Sequence, residues 1–182
     1  MDLSTYFQQL AHYHVWATER LLGPQLRALP EASLRGDAGL FFGSIHGTLN
    51  HLLVAERLWQ ARVMDGCSPR IALNAELVAG RDALADALQE AARRWSTWLA
   101  ATPPQQLAGT LTYTRNNGQA VVVPLAGTLG HVFNHATHHR GQITAALTAQ
   151  GREAPELDWI ILMQEQQARS RAEPPRSVHE TS

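Results

Sequence analysis

The stretch from Leu125 to Gln150 (LAGTLGHVFNHATHHRGQITAALTAQ) most constrains the fold, because its apolar residues recur with the period of one long helix. At about 100° per residue, one stripe of this helix faces a core. The stripe consists of Leu125, Leu129, Val132, Phe133, Ala136, Ile143 and Leu147. The helix must therefore pack against other elements that cover this stripe.

The same stretch carries four of the nine histidines of the chain, and two of these lie towards the core. His139 lies just off the centre of the apolar stripe, and His135 lies a little further round the helix. His131 is at the margin, and His138 is furthest away. Residues four apart on a helix are about 5–6 Å apart at Cβ, so His135 and His139 can bind one metal ion if another helix supplies a third ligand. The alternative is a pair of half-buried histidines whose ring nitrogens are satisfied by hydrogen bonds.

Three further helical patterns precede this stretch. The first runs from about residue 3 to 28, and Gly23-Pro24 predicts a bend or an end within it. The segment 31–43 is rich in glycine and predicts a loop. Ser44 is a favourable N-cap for the second helix, which we expect to run to about residue 65. A connection over 66–80 then leads to the third helix, from about 81 to 101.

The C-terminal half adds a hairpin and a short helix. Asn117-Gly118 between two β-prone runs predicts a hairpin turn, and Gly151 marks the end of the long helix. Asp158 can cap a short helix from residue 159 to about 169. We therefore predict an all-α four-helix bundle, with a long crossover before its last helix. A single domain over 1–170 and a disordered tail over 171–182 complete the expected organisation.

Glu56 is the polar residue that least fits the pattern of its helix. It falls in the middle of the apolar stripe formed by Ile45, Leu49, Leu52, Leu53, Trp59 and Val63. A carboxylate on a core face is costly unless it is paired. An ion pair with Arg140 is the favoured interpretation, and an acid/base role is the alternative. His51 lies well off the centre of this stripe, so the helical pattern alone does not select it as a ligand.

Composition excludes several classes of function. The formal net charge of -1 provides no global attraction to nucleic acid or to an anionic membrane. Cys67 is the only cysteine, which fits a reducing cytoplasm. Neither a signal-peptide pattern nor an apolar run of about 20 residues is visible. A cytoplasmic protein that binds neither nucleic acid nor membranes is the resulting expectation.

Three motifs resemble those of the DinB-like (DinB/YfiT-like) family of four-helix-bundle metalloproteins. They are YHVWATERLL (13–22), SIHGTLNHLLVAERLW (44–59) and GHVFNHATHHRGQ (130–142), and their order and separations also match. The last motif, NHxxxHRGQ in general form, is the most specific. The sequence departs from the family at His14 and Thr18, where asparagine is frequent.

The resemblance implies a three-histidine metal site formed by His51, His135 and His139. Beside these ligands, His131 is a candidate for a spare ligand or for a residue that supports the ligands. Zinc or nickel is the expected metal, since imidazole ligands suit both. A di-iron site is not expected, because the chain lacks a Glu-x-x-His pair.

The expected function is that of a metal-dependent enzyme of the thiol S-transferase or hydrolase type. Characterised members of the wider superfamily include thiol-dependent transferases, so a small-molecule substrate and a low-molecular-weight thiol are the expected partners. Glu56 or His131 would transfer the proton. The alternative is a non-catalytic metal-binding or stress-related binding protein. A homodimer through helix faces is also expected.

Overall fold

Four long helices form a bundle in the computed structural model, which describes residues 2–115 and 117–172. These helices are α1 Leu3–Leu21, α4 Ile45–Val63, α5 Arg81–Ala101 and α7 Leu125–Ala149. The remaining elements are α2 Pro24–Arg27, α3 Glu31–Arg35, α6 Pro104–Leu107, β1 Thr110–Thr114, β2 Ala120–Pro124 and α8 Trp159–Ala172. The predicted fold class, a four-helix bundle with a hairpin before the last long helix, is confirmed.

The long helices are not arranged in chain order around the bundle. Helix α1 packs against α5 and α7, and α4 packs against the same two helices. Helices α1 and α4 therefore occupy opposite corners, as do α5 and α7. The predicted crossover between the last two long helices is present over 102–124, and a second crossover over 22–44 joins α1 to α4.

The segment after α1 differs from the predicted loop. Helix α1 ends at Leu21, and Pro24 opens the short helix α2. The glycine-rich stretch predicted to be a loop contains helix α3, which begins after Pro30. Leu34 of α3 is fully buried in the core. This tertiary contact stabilises a helical turn that the glycine content of the segment did not predict.

The hairpin forms as predicted. Strand β1 pairs with β2 in antiparallel register, and Leu111 opposes Val123. Gly118 has a φ of 85°, a left-handed conformation that favours glycine at the turn. Leu111 is buried, so packing on the bundle supports a ribbon that is marginal by itself.

The predicted domain boundary lies at the edge of the described residues. Helix α8 continues to Ala172 and so covers the first residues of the predicted tail. The rest of that tail, 173–182, lies outside the described residues, as does His179. The division into a domain and a tail stays a prediction. Within 2–115 and 117–172, every helix is too short or too polar to span a lipid bilayer.

The core comprises a small apolar cluster, formed by Tyr13, Ala17 and Leu162, and two large ones that are separated by a polar layer. One large cluster includes Leu21, Leu49 and Leu88, and the other includes Phe7 and Trp95. Between them along their helices lie the buried side chains His14, Thr18 and Glu56. The bundle therefore contains a buried polar layer that must be satisfied internally.

Candidate metal centre

Three histidine side chains from two adjacent helices converge beside the core. His51 comes from α4, whereas His135 and His139 come from successive turns of α7. Nε2 of His135 lies 3.2 Å from Nε2 of His51 and 3.1 Å from Nε2 of His139. Ligand atoms at about 2.0–2.1 Å from a tetrahedral metal lie roughly 3.3–3.4 Å apart. The triad therefore has the spacing needed to hold one divalent metal ion.

The other ring nitrogens of two of these histidines are bound to oxygen acceptors. Nδ1 of His51 donates to the carbonyl oxygen of Leu73 at 2.8 Å. Nδ1 of His139 donates to Oε1 of Gln142 at 2.7 Å. Since these acceptors require the proton on Nδ1, they leave the Nε2 lone pair free for a metal. The hydrogen-bond pattern thus selects the ligating tautomer and fixes the ring orientation.

Burial keeps the three imidazoles neutral at neutral pH. It lowers the pKa of His135 to about 4, helped by repulsion from His139, His51, His131 and His138. Burial also lowers the pKa of His51 and of His139, although their Nδ1 hydrogen bonds oppose the change. A metal binds the deprotonated imidazole. The triad is therefore in a binding-competent protonation state near pH 7.

An aromatic ring covers one side of the triad. Phe42 stacks on His51 with a centroid separation of 3.8 Å and an angle of 17°, and its centroid lies 5.7 Å from that of His139. Gly43, which follows it, has a φ of 76°, a conformation that favours glycine. The sequence motifs did not indicate Phe42 or the carbonyl of Leu73, since both belong to connections rather than to a periodic helix face.

The two remaining histidines of α7 lie outside the triad. His131 is exposed, and its ring centroid lies 5.6 Å from that of His135 and 5.3 Å from that of Trp59. His138 is also exposed and approaches His139 at 4.9 Å between ring centroids. The structure thus places His131 beside the triad, facing solvent, and leaves its catalytic role a prediction.

Glu56 belongs to the buried polar layer. Oε1 of Glu56 lies 2.9 Å from Nε2 of His14, whose N–H is not well aligned with that oxygen. Oε2 accepts hydrogen bonds from the indole of Trp95 and from the side-chain amide of Gln60. Burial raises the pKa of Glu56, but His14, Trp95 and the charge of Arg140 outweigh this and lower it overall. These contacts satisfy the buried carboxylate, and a catalytic role for Glu56 stays a prediction.

The expected direct ion pair between Glu56 and Arg140 is wrong, because the residue next to the Glu56 carboxylate is His14. Nη1 of Arg140 instead donates to Nδ1 of His14 at 3.0 Å. His14 therefore bridges the guanidinium and the carboxylate. The prediction missed His14, although it lies four residues after Leu10 and three before Ala17 on the apolar face of α1. A histidine in that stripe, opposite a buried glutamate, was the signal that could have identified the pair.

The comparison with protein families identifies the chain. A family model described as the DinB family matches residues 1–173. The chain belongs to the DinB family. The resemblance inferred from the three motifs is thereby confirmed.

Known relatives agree with this assignment. Protein DinB of Bacillus subtilis (strain 168) is 26% identical over 168 residues, which cover 88% of this chain and 95% of that protein. YfiT from Bacillus subtilis, described as a probable metal-dependent hydrolase with an unusual four-helix bundle topology, superimposes with a TM-score of 0.63 at 15% identity. The match covers 82% of this chain and 89% of YfiT.

A second solved structure has the same fold. It is a DinB-like protein from Bacillus cereus ATCC 10987, with a TM-score of 0.61 and 19% identity. The match covers 82% of this chain and 94% of that protein. At these identities the structural likeness establishes the bundle, whereas the chemistry must be argued from this chain's own residues.

Proposed function

We propose that this DinB-family chain is a metal-dependent enzyme of the hydrolase or thiol S-transferase type. The observation that carries the proposal is the convergence of His51, His135 and His139, with two Nδ1 atoms bound to oxygen acceptors. Three protein ligands leave a further position open to a small molecule, as in catalytic zinc sites. A divalent metal fits these residues, and zinc or nickel is the proposed occupant.

The residues around the triad have different proposed roles in the reaction. When bound, the metal would act as a Lewis acid that lowers the pKa of a coordinated water or thiol. The chain orients His51 through Leu73 and His139 through Gln142. We propose His131 as the group that carries a proton to or from solvent, because it is exposed and one helical turn from His135. Glu56 is assigned a structural role.

Two reaction types remain compatible with this arrangement. Hydrolysis is supported by the description of YfiT as a probable metal-dependent hydrolase. Thiol transfer requires the same open position, with a low-molecular-weight thiol as the nucleophile. Both take a small-molecule substrate.

The metal site is tested by two matched variants on α7. His139→Ala removes a proposed ligand, whereas His138→Ala removes the neighbouring exposed histidine. Metal analysis of untagged protein should find about one ion per chain in the wild type and in His138→Ala, and much less in His139→Ala. Stoichiometric metal in His139→Ala would overturn the ligand assignment.

The reaction is tested with the same proteins. Metal-loaded wild type and His138→Ala should hydrolyse an activated ester such as p-nitrophenyl acetate, or transfer a small thiol to 1-chloro-2,4-dinitrobenzene. His139→Ala should lose that activity, because its metal is lost. Stoichiometric metal without either reaction across a panel of such substrates would favour the alternative, a non-catalytic metal-binding protein.

We also propose that the chain forms a homodimer through helix faces. Large apolar side chains are exposed on two neighbouring helices: Leu3 and Tyr6 on α1, and Ile160 and Met163 on α8. Tyr6 and Trp159 lie 6.4 Å apart between ring centroids, which joins the two sets into one surface. Light scattering should report twice the chain mass, and a monomer at micromolar concentration would remove the proposal.

A further inference from the structure

We propose that a cleft next to the triad binds a neutral, apolar, preferably aromatic part of the substrate; this inference rests on the proposed function. The cleft has a volume of about 370 Å³. It is formed by α4, the hairpin and the first turns of α7, and its walls include Trp59, Tyr113, Val123, Gly127, Thr128 and His131. This volume is within the range of small-molecule sites, roughly 300–1,000 Å³.

His131 links the cleft to the triad. His131 lines the cleft, and its ring centroid lies 5.6 Å from that of His135. Trp59 is eight residues after His51 on α4, and Gly127 is eight residues before His135 on α7. At 1.5 Å per residue, the far end of the cleft is roughly 12 Å from the triad. A substrate with its reacting group at the metal can therefore extend an apolar group into the cleft.

The two aromatic walls of the cleft are held in place by contact with each other and with Arg62. The rings of Trp59 and Tyr113 lie nearly edge to face, with centroids 5.5 Å apart and an angle of 72°. The guanidinium of Arg62 lies over both rings, at 4.8 Å from Trp59 and 4.6 Å from Tyr113. Such stacking restricts both rings. The cleft is therefore formed before a ligand binds, which reduces the entropy cost of binding.

The chemistry of the walls selects against charged groups. Among the described residues that line the cleft, none carries a carboxylate, an ammonium or a guanidinium group. The hydroxyl of Thr128 already donates to the carbonyl oxygen of Pro124 at 3.0 Å. A cation here would lose its hydration without an anionic partner, and an anion would meet no cation in the lining, since the guanidinium of Arg62 lies over the rings of Trp59 and Tyr113 but does not line the cleft. Aromatic walls instead favour a flat apolar group.

The other surface grooves do not meet these conditions. Larger grooves, of about 420, 450 and 780 Å³, are also present, and the last two share the segment 154–156. Neither these grooves nor the cleft itself is lined by His51, His135 or His139 among the described residues, but the cleft is lined by His131, whose ring centroid lies 5.6 Å from that of His135. Size alone would favour the larger grooves, but none of them is lined by a histidine of α7 among the described residues. The cleft with Trp59 and His131 is therefore the stronger candidate for the substrate.

The test uses hydroxamic acids, which bind an open metal position through the same two oxygens while their substituent varies. Acetohydroxamic acid has no ring, whereas 4-phenylbutanohydroxamic acid carries a ring on a tether that matches the roughly 12 Å spacing. Zinc-loaded wild type should bind the phenyl compound at least about tenfold more tightly, because the ring is buried in the cleft. Calorimetry measures both affinities.

Two glycines of α7 provide matched variants. Gly127→Leu adds a side chain in the cleft, and a Cβ there meets its nearest neighbour at an ordinary 3.9 Å. Gly130→Leu makes the same change at a position with open space that does not line the cleft. Gly127→Leu should lose the preference for the phenyl compound but still bind acetohydroxamic acid. Gly130→Leu should retain the preference.

The outcomes distinguish a failure of the cleft proposal from a failure of the proposed metal site. The proposed role of the cleft would be overturned if the wild type bound the two compounds equally well. It would also be overturned if Gly127→Leu still preferred the phenyl compound. If neither compound binds zinc-loaded protein, the open metal position fails, and with it the proposed function. In that case benzyl alcohol tests the cleft without the metal. Its binding in the cleft should shift the Trp59 indole N–H signal in NMR spectra. The absence of that shift would overturn the inference as well.

Discussion

At the scale of the residue, the protein uses histidine in two different environments. His51, His135 and His139 present Nε2 atoms to one another, and hydrogen bonds of Nδ1 fix two of the rings. His14 instead bridges Glu56 and Arg140 inside the polar layer. Histidine thus serves a candidate metal site in one place and, at His14, a buried bridge between a carboxylate and a guanidinium, and its neighbours decide which.

The triad makes the stability of the metal-free protein depend on pH. The pKa of His135 falls from 6.5 to about 4 on folding. Between these values the unfolded chain binds more protons than the folded one, so the free energy of unfolding decreases as pH falls. His51 and His139 add to the same trend, because their pKa values are also lowered.

We therefore expect stability that is fully present above about pH 6.5 and is progressively lost towards pH 4. Urea denaturation of the chelator-treated protein at several pH values measures this. In His135→Gln the free energy of unfolding should depend less steeply on pH, because the substitution removes the imidazole whose pKa is about 4. A flat profile for the wild type in this window would contradict the prediction.

A second prediction at this scale concerns the stability that the buried Glu56 and His14 pair contributes. Glu56→Ala leaves Arg140 and His14 without their carboxylate, and Glu56 is only 4% exposed. Removing one partner of a buried pair costs about 3–5 kcal/mol. The exposed Glu90 on α5 provides the control, since Glu90→Ala should change the free energy of unfolding by less than about 0.5 kcal/mol. A cost below about 1 kcal/mol for Glu56→Ala would show that the pair contributes little.

At the scale of the element, the start of α4 connects helix capping to the triad. Oγ of Ser44 accepts a hydrogen bond from the backbone N–H of Gly47 at 3.0 Å. A Cβ at Gly47 would overlap the carbonyl oxygen of Phe42. The first turn of α4 and the preceding loop are thus in close contact, and this contact places Phe42 on His51.

Two glycine substitutions test this contact. Gly130→Ala on α7 meets open space and should stabilise the protein by about 0.5–1 kcal/mol, because alanine favours the helix. Gly47→Ala should instead destabilise it and weaken zinc binding, because the loop that carries Phe42 must move. Thermal unfolding and zinc titration of both variants measure the effects. Equal stabilisation by the two substitutions would mean that the loop adapts freely.

At the scale of the whole molecule, the arrangement of the bundle assembles the triad. Helices α4 and α7 are separated by α5 and a crossover in the chain, yet they are neighbours in the bundle. His51 and His135 are 84 residues apart, so the unfolded chain does not preform the site. The three apolar clusters, in contrast, do not include the triad. The bundle therefore has a core that is independent of the metal.

From this we expect a metal-free protein that is folded but less stable. Metal that binds only the folded state adds about 2.7 kcal/mol at one hundred times Kd. For a chain of this length, that corresponds to a rise in Tm of roughly 5–10 °C. Circular dichroism with and without chelator at pH 7.5 measures the change. Loss of all helix on chelation would identify a chiefly structural metal, and an unchanged Tm would contradict binding at the triad.

The sequence by itself determined the elements and most of the candidate site. Apolar periodicity predicted the long helices, and Asn117-Gly118 predicted the hairpin, because both signals are local in the chain. The i, i+4 spacing selected His135 and His139, again by local geometry. His51 required the family motif, because a helical pattern does not state which helix lies opposite.

The tertiary structure decided what depends on contacts between distant segments. It placed α4 beside α7, paired Glu56 with His14 rather than directly with Arg140, and stabilised α3 through the burial of Leu34. It also brought the carbonyl of Leu73 and the ring of Phe42 to His51. These contacts join segments with no shared periodicity, and the free energy of burial and hydrogen bonding that selects them arises only when the bundle closes.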